Sequence, residues 1–298
     1  MDILPQLALN SIIAGSIYAL VAMGFNLAYG ATRFFNLAHG SMAAIGGYTM
    51  LALFEAFRCS ASDGCDSPGL LVGIVFLAIV ASGLSGYALE KLVYMPLRKR
   101  KASGMVLLVA SLGVFSVVQA LLAMIFTSRF QALSRLAGAT RSFTVGSGVI
   151  TDAQLASCIA AVSLLCALRI VLKTTLFGKK VRAVSDDEEV AKIVGINTAR
   201  ITGAVFFIAA AAAGLAGILV GLDTGIEPTM GLWLLLKGVI AAIVGGTGSV
   251  PGAFVGAYLL GFAENFGIWK IAGEWKDAIA FALLMTFLLF RPRGLVQR

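Results

Sequence analysis

An all-α, polytopic bundle of eight or nine membrane segments, some of them broken or re-entrant, is the fold this sequence predicts, and three observations predict it. The 298 residues are 59% hydrophobic and 13% charged, with a mean hydropathy of +0.94, whereas ordinary soluble domains carry about 25% charged residues. Apolar stretches near the ~20 residues that a bilayer crossing requires recur along the whole chain, separated by short polar connections. Basic residues collect between those stretches. Together these features describe one membrane domain, residues 1–298, with no room for a soluble catalytic domain.

The segments read in order as follows. Met1 to Pro5 has no basic n-region, so the first span, Leu7 to Tyr29, reads as retained rather than cleaved. It meets the second, Phe35 to Ala56, at the polar run FFNLAHGS. Gly69 to Leu89 and the charge-free Gly104 to Phe126 follow. Ser128 to Ile150 is polar enough for a loop and has space for a short interfacial helix. Asp152 to Leu172 carries Cys158 and Cys166, read as small buried hydrophobes. Ile201 to Leu222 is rich in alanine and glycine. Leu232 to Gly245 is short for a crossing, and a glycine-rich interruption separates it from Pro251 to Phe266, as in broken helices that line a pathway. Ala278 to Phe290 closes the bundle.

The net charge of +8 reports orientation rather than nucleic-acid binding, because its location follows the positive-inside pattern. Lys91, Arg98, Lys99, Arg100 and Lys101 form one cluster, Lys173 to Arg200 a second, and Arg291, Arg293 and Arg298 a third. These regions, the carboxyl terminus included, are expected in the cytoplasm, with the amino terminus outside if every segment crosses. Cys59 and Cys65 then share an outer loop, where an oxidising compartment permits a disulfide.

Small residues let helices approach closely in lipid, and G-x-x-x-G pairs occur at Gly69/Gly73, Gly217/Gly221 and Gly252/Gly256, read as intramolecular packing. Ala43 to Tyr48 (AAIGGY) echoes Ala253 to Tyr258 (AFVGAY), each just after a Gly-Ser pair, as in transporters built from related halves.

No metalloprotease, redox or nucleophile-elbow motif is present, and Gly178-Lys179 lacks the glycine spacing of a phosphate-binding loop. GGTGSVPG, with Gly245, Gly246, Gly248 and Gly252, misses dinucleotide-binding spacing. No catalytic or metal site is expected. Polar residues inside the membrane are therefore the candidates, since burying them is expensive. Lys237, within LWLLLKGVIAA, either lines the pathway or reaches outward to snorkel or pair with Glu227. Glu264 and Asn265 end their span, pairing across helices or marking its outer end. Asn36, His39 and Gly40 either satisfy a broken helix or line the pathway, as do Gly245, Gly246 and Gly248. No pair of membrane carboxylates stands out as an ion relay.

The loop 173–200 contains the most specific signal. KVRAVSDDEEVAKIVGIN offers Ser185 as N-cap, acids including Asp187, Glu188 and Glu189 in the first turn, and Gly195 as terminator. Glu189, Ala191 and Gly195 have the spacing of the E-A-A-x-x-x-G loop with which importer permeases dock onto ATPases.

From end to end the chain resembles the branched-chain amino acid permeases of ATP-binding-cassette transporters, the H-type membrane subunit in particular. GSIYALVAMGFNLAYG, FFNLAHGSMAAIGGY, AVSDDEEVAKIVGIN and EPTMGLWLLLKGVIAAIVGGTGSVPGAFVGAYLLG carry the likeness. The Cys59 to Cys65 loop and Ser128 to Gly148 depart from it. The resemblance implies a multi-pass protein of the bacterial inner membrane forming half of a pathway. Its implied partners are a second homologous permease, two cytoplasmic ATPase subunits that bind ATP and Mg, and an extracytoplasmic substrate-binding protein; the chain itself holds no cofactor. Asp187, Glu188, Glu189, Ala191 and Gly195 would couple to the ATPases. Urea or short amides are the alternative cargo within this class, and an ion-coupled secondary transporter is the rival outside it.

Overall fold

The computed structural model describes residues 3–57, 68–133, 142–145, 148–291 and 294–296. Each of the nine expected segments is a helix. The bundle consists of α1 (Ile3–Thr32), α2 (His39–Ala56), α3 (Pro68–Leu89), α5 (Gly104–Phe126), α6 (Asp152–Thr174), α9 (Thr198–Asp223), α10 (Met230–Gly245), α11 (Val250–Gly267) and α12 (Lys276–Phe290). The short α4 (Met95–Lys99) continues α3 through a π-turn at Glu90–Tyr94, and α7 (Leu176–Asp186) and α8 (Glu188–Ile193) lie in the basic loop. Cys59 and Cys65 lie outside the described residues.

Not every expected segment is long enough to span by itself. Among the described residues, five helices are long and apolar enough to cross alone, and α10 and α11 reach that length and hydropathy only together, as a bent pair. α2, α10, α11 and α12 have only 18, 16, 18 and 15 residues. At ~1.5 Å per residue α10 covers about 24 Å, short of the ~30 Å hydrocarbon core.

The 114° bend between α10 and α11 folds one back along the other. Gly252 packs on Gly245, Gly256 on the Ala241 carbonyl, and Lys237 reaches Glu264, so the arms are antiparallel. A hairpin of this kind returns the chain to the side it came from, whether its tip is re-entrant or crosses. The orientation of the ends expected from charge therefore does not depend on that distinction.

α1 is hydrophobic all round and central: Ala19, Leu20, Val21, Ala22 and Met23 are fully buried. It packs on α11, α9, α10 and α6, while α9 also packs on α3 and α2. α5 sits at the periphery, with Met105, Val117 and Met124 exposed as a lipid-facing side should be. Glycine sets the closest approaches. A Cβ at Gly217 would collide with the Ala43 carbonyl, and one at Gly46 with the Gly214 backbone. A Cβ at Gly69 or Gly73 would meet nothing within 4 Å, so among the described residues this G-x-x-x-G pair does not make the packing contact expected of it.

The option of a short interfacial helix within Ser128 to Ile150 rests in part on residues 134–141 and 146–147, which lie outside the described residues. Ser142–Val145 and Gly148–Thr151 form an antiparallel pair, Ser142 opposite Thr151. Thr144, Val145, Val149, Ile150 and Thr151 are β-branched and suit a pleated strand. Thr151 then caps α6 in a capping box with Gln154.

Candidate functional site

Three helices bring charged groups together, and a fourth adds a hydroxyl, where α11 ends and α12 begins. The Lys237 ammonium, on α10, donates to Glu264 Oε1 on α11 at 2.6 Å and lies 2.6 Å from Asp277 Oδ1 on α12. The Tyr18 hydroxyl, on α1, donates to Glu264 Oε2 at 2.8 Å, and Lys276 Nζ stands 4.0 Å from the same oxygen. Glu264 is 0% and Lys237 9% exposed, so this is a buried ion pair with a half-exposed third member, Asp277. The expected option of Lys237 pairing with Glu227 is replaced, and Glu227 accepts from the Thr229 hydroxyl instead. The sequence shows no carboxylate pair because Glu264 and Asp277 meet only when α11 and α12 pack on α10.

Lys237, Asp277, Tyr18, Glu227 and Trp233 line a cavity of about 530 Å³. A second, of about 370 Å³, shares Tyr18 and adds Asn10, Asn265, Asp223 and Lys276. Asn265 also donates to the Gly261 carbonyl one turn back at 2.9 Å.

The two interruptions are each held by an asparagine. Residues 33–38 are non-helical, so α2 starts at His39 rather than at Phe35. Asn36 Oδ1 accepts from the Tyr94 hydroxyl at 2.8 Å and from the Ala38 amide at 3.1 Å. Ser111 accepts from the Leu37 amide at 3.0 Å. His39 is buried, with Nε2 3.2 Å from the Val21 carbonyl, and Gly40 lies on the Gly231 backbone. These contacts provide the partners that irregular backbone needs at membrane depth.

At the second interruption Gly246 and Gly248 have φ of +114° and +82°, in the region that favours glycine. Asn26, fully buried on α1, donates to the Gly246 and Ser249 carbonyls, both at 2.9 Å, and accepts from the Gly248 amide at 3.2 Å. Leu295 and Val296 amides donate to the Val244 and Gly245 carbonyls at 3.0 Å. Sequence reasoning passes over Asn26 and Tyr18, although each is a polar residue in an apolar run.

In the basic loop, the N-cap is Asp187 and not Ser185: Asp187 Oδ1 accepts from the Glu189 and Val190 amides at 2.8 and 3.0 Å. Ser185 belongs to α7, and its hydroxyl donates to the Gly30 carbonyl. α8 ends as expected at Gly195, with φ +84° and the paired bonds Ile196 to Ala191 and Gly195 to Lys192, each 3.0 Å. Ala191 is buried, while Val190, Ile193 and Val194 face outward, Ile193 at 83% exposure. Glu188 accepts from Lys192 at 2.8 Å and from Thr198 at 3.3 Å and lies 4.0 Å from Arg98, which is paired with buried Glu90. Burial pushes the Glu188 carboxyl up, but the Lys192 bond and the Arg98 charge outweigh it and hold it below its ordinary range.

These features define a polytopic helical membrane protein whose polar groups meet inside the bundle. The family model described as "Branched-chain amino acid transport system / permease component" matches residues 7–288, and the chain belongs to that family. It is 34% identical to the high-affinity branched-chain amino acid transport system permease protein LivH of Salmonella typhimurium, over 98% of this chain and 95% of that one. The LivH protein of Escherichia coli K12 matches at the same identity and coverage. The permease protein BraD of Pseudomonas aeruginosa is 33% identical over 98% of this chain and 95% of its own.

Proposed function

We propose that this chain is one of two membrane subunits of an ATP-driven importer that moves branched-chain amino acids into the cytoplasm across a bacterial inner membrane. In this reading two separate ATPase subunits supply the energy and a binding protein delivers the cargo from outside. The observation that carries it is α8. A capped, sharply terminated helix outside the bundle presents Val190, Ile193 and Val194 on its exposed side, as a helix that seats in a partner's groove would.

Motion of α8 has a contiguous route inward. Arg33, at the end of α1, donates to the Ser185 carbonyl at 3.0 Å, and the Ser185 hydroxyl returns to Gly30. Gly30 lies against Gly248, in the turn that Asn26 holds from the same helix. A shift of α7 and α8 thus bears on the tip of the α10–α11 hairpin, and through α10 on Lys237. There Lys237 and Asp277, which face the cavity and pair with each other, can exchange partners with a zwitterion, whose ends each match one of them.

The test is uptake of labelled leucine, copurification of the ATPases and membrane abundance for Gly195→Val and Glu189→Lys. Nothing lies near a side chain at Gly195, so valine there is strained by φ alone, by about 1 kcal/mol or more. Uptake and ATPase association should fall while abundance holds. Normal uptake with intact association in both variants would remove α8 from the coupling role.

A further inference from the structure

We propose that the junction of α6 and α7 is a binding site for an anionic phospholipid of the adjoining leaflet. A partly open cavity of about 210 Å³ lies between these helices, the end of α1 and the turn before α11. Its floor is apolar, formed by Leu27, Leu172, Val181, Val250 and Pro251, and its charged lining residues are Arg169, Lys173 and Arg182, with no acid among them. Between Asp152 and Asp186 the chain has no Asp or Glu, yet it carries Arg169, Lys173, Lys179, Lys180 and Arg182.

Two further features specify a lipid rather than a free anion. α7 is amphipathic: Val181 and Val184 are buried, Lys179 and Lys180 are exposed, and Leu176 is exposed beside them, the arrangement of a helix lying in the headgroup plane. Ile159, Val162, Cys166 and Ile170 recur at helical spacing on the exposed side of α6 and lead to Lys173. That stripe is a track for acyl chains ending at basic groups, and the cavity beyond it takes the phosphate and glycerol of the headgroup. Basic pockets between membrane helices on the positively charged side bind such headgroups. Arg182 also donates to the Leu172 carbonyl, which holds its guanidinium at the α6–α7 junction. Because Asn26, Gly248 and Ser249 line the same cavity, an occupant touches the turn between α10 and α11.

The experiment titrates the purified chain in detergent with phosphatidylglycerol, phosphatidylcholine or inorganic phosphate and reads bound ligand by native mass spectrometry. Phosphatidylglycerol should bind more tightly than phosphatidylcholine, and inorganic phosphate should neither bind stably nor displace it. At about five-fold per basic residue, Arg169→Gln with Lys173→Gln should weaken it about twenty-five-fold. Both side chains are exposed, so the variant keeps its fold. Lys179→Gln with Lys180→Gln, outside the lining, should weaken it less. Equal binding of the two lipids, equal effects of the two variants, or displacement by inorganic phosphate overturns the proposal. So does loss of lipid when a second permease chain associates, which would make the cavity a subunit interface.

Discussion

Replacing Lys237 with methionine removes the ammonium that Glu264 faces while keeping most of the side-chain volume. Glu264 has no solvent contact, and its remaining partners are the Tyr18 hydroxyl at 2.8 Å and Lys276 at 4.0 Å. Breaking a buried pair by removing one member leaves the other charge uncompensated and costs about 3–5 kcal/mol. Removing both is far cheaper. In Lys237→Met with Glu264→Gln the amide still accepts from Tyr18, and no charge is stranded. The double variant should therefore recover at least ~2 kcal/mol relative to the sum of the singles. Asp277 is 48% exposed and rehydrates, so Asp277→Asn should cost about 1 kcal/mol or less. Unfolding of the purified protein in mixed detergents, read by loss of helical circular dichroism, gives the four corners of the cycle. A coupling below ~0.5 kcal/mol would refute the reasoning, because the two sites would then be energetically independent.

Asn26→Leu orphans the Gly246 and Ser249 carbonyls and the Gly248 amide, each worth about 1–3 kcal/mol when buried unpaired, so amide exchange at residues 246–249 should accelerate markedly by mass spectrometry. Gly217→Val meets the Ala43 carbonyl and should lower the unfolding midpoint by the equivalent of about 1–3 kcal/mol or more, whereas Gly69→Ala meets nothing and should leave it unchanged. For Glu188, a folded-state carboxyl held below its ordinary range contributes stability in full above the unfolded value of about 4.3 and loses it as pH falls through the lower folded value. Amide exchange in α8, corrected for intrinsic rate, should therefore rise on acidification below about pH 4.3, and Glu188→Gln should weaken that dependence, leaving the part carried by the Asp187 cap.

The fold is legible wherever composition alone decides. Gly104–Phe126 matches its expected limits because Ser103 caps it and Thr127, with φ +65°, ends it, both local features. Phe35 to Ala56 differs at its start for a physical reason. Phe34 and Phe35 are as apolar as a helix interior, but they serve as anchors for the irregular segment, Phe34 against Tyr94 and Phe206 and Phe35 against Phe25 and Tyr29. Hydropathy reports burial and not backbone conformation, so it runs the span through the break. The same limitation applies to length, since a short arm of a hairpin is as apolar as a full span.

The site divides along the same line. Gly195 is legible because a residue with positive φ at a helix end is a property of a few consecutive positions, and the bonds that close it span five residues or fewer. Asp187 displaces Ser185 as N-cap over two residues, because Ser185 is drawn back to Gly30 across 155 positions, a contact no local rule contains. Lys237 illustrates the harder case. Its sequence position says that an apolar helix carries an ammonium and therefore needs a counter-charge, which is a statement about energy and is correct. Which counter-charge it finds depends on the bend at Gly246, the antiparallel return of α11 and the entry of α12. Glu227, ten residues away and at the start of the same arm, is nearer in sequence than Glu264, yet the hairpin places Glu264 against Lys237 at 2.6 Å. Polar residues in an apolar run thus identify that a buried charge needs a partner, and only the packing of the arms identifies that partner.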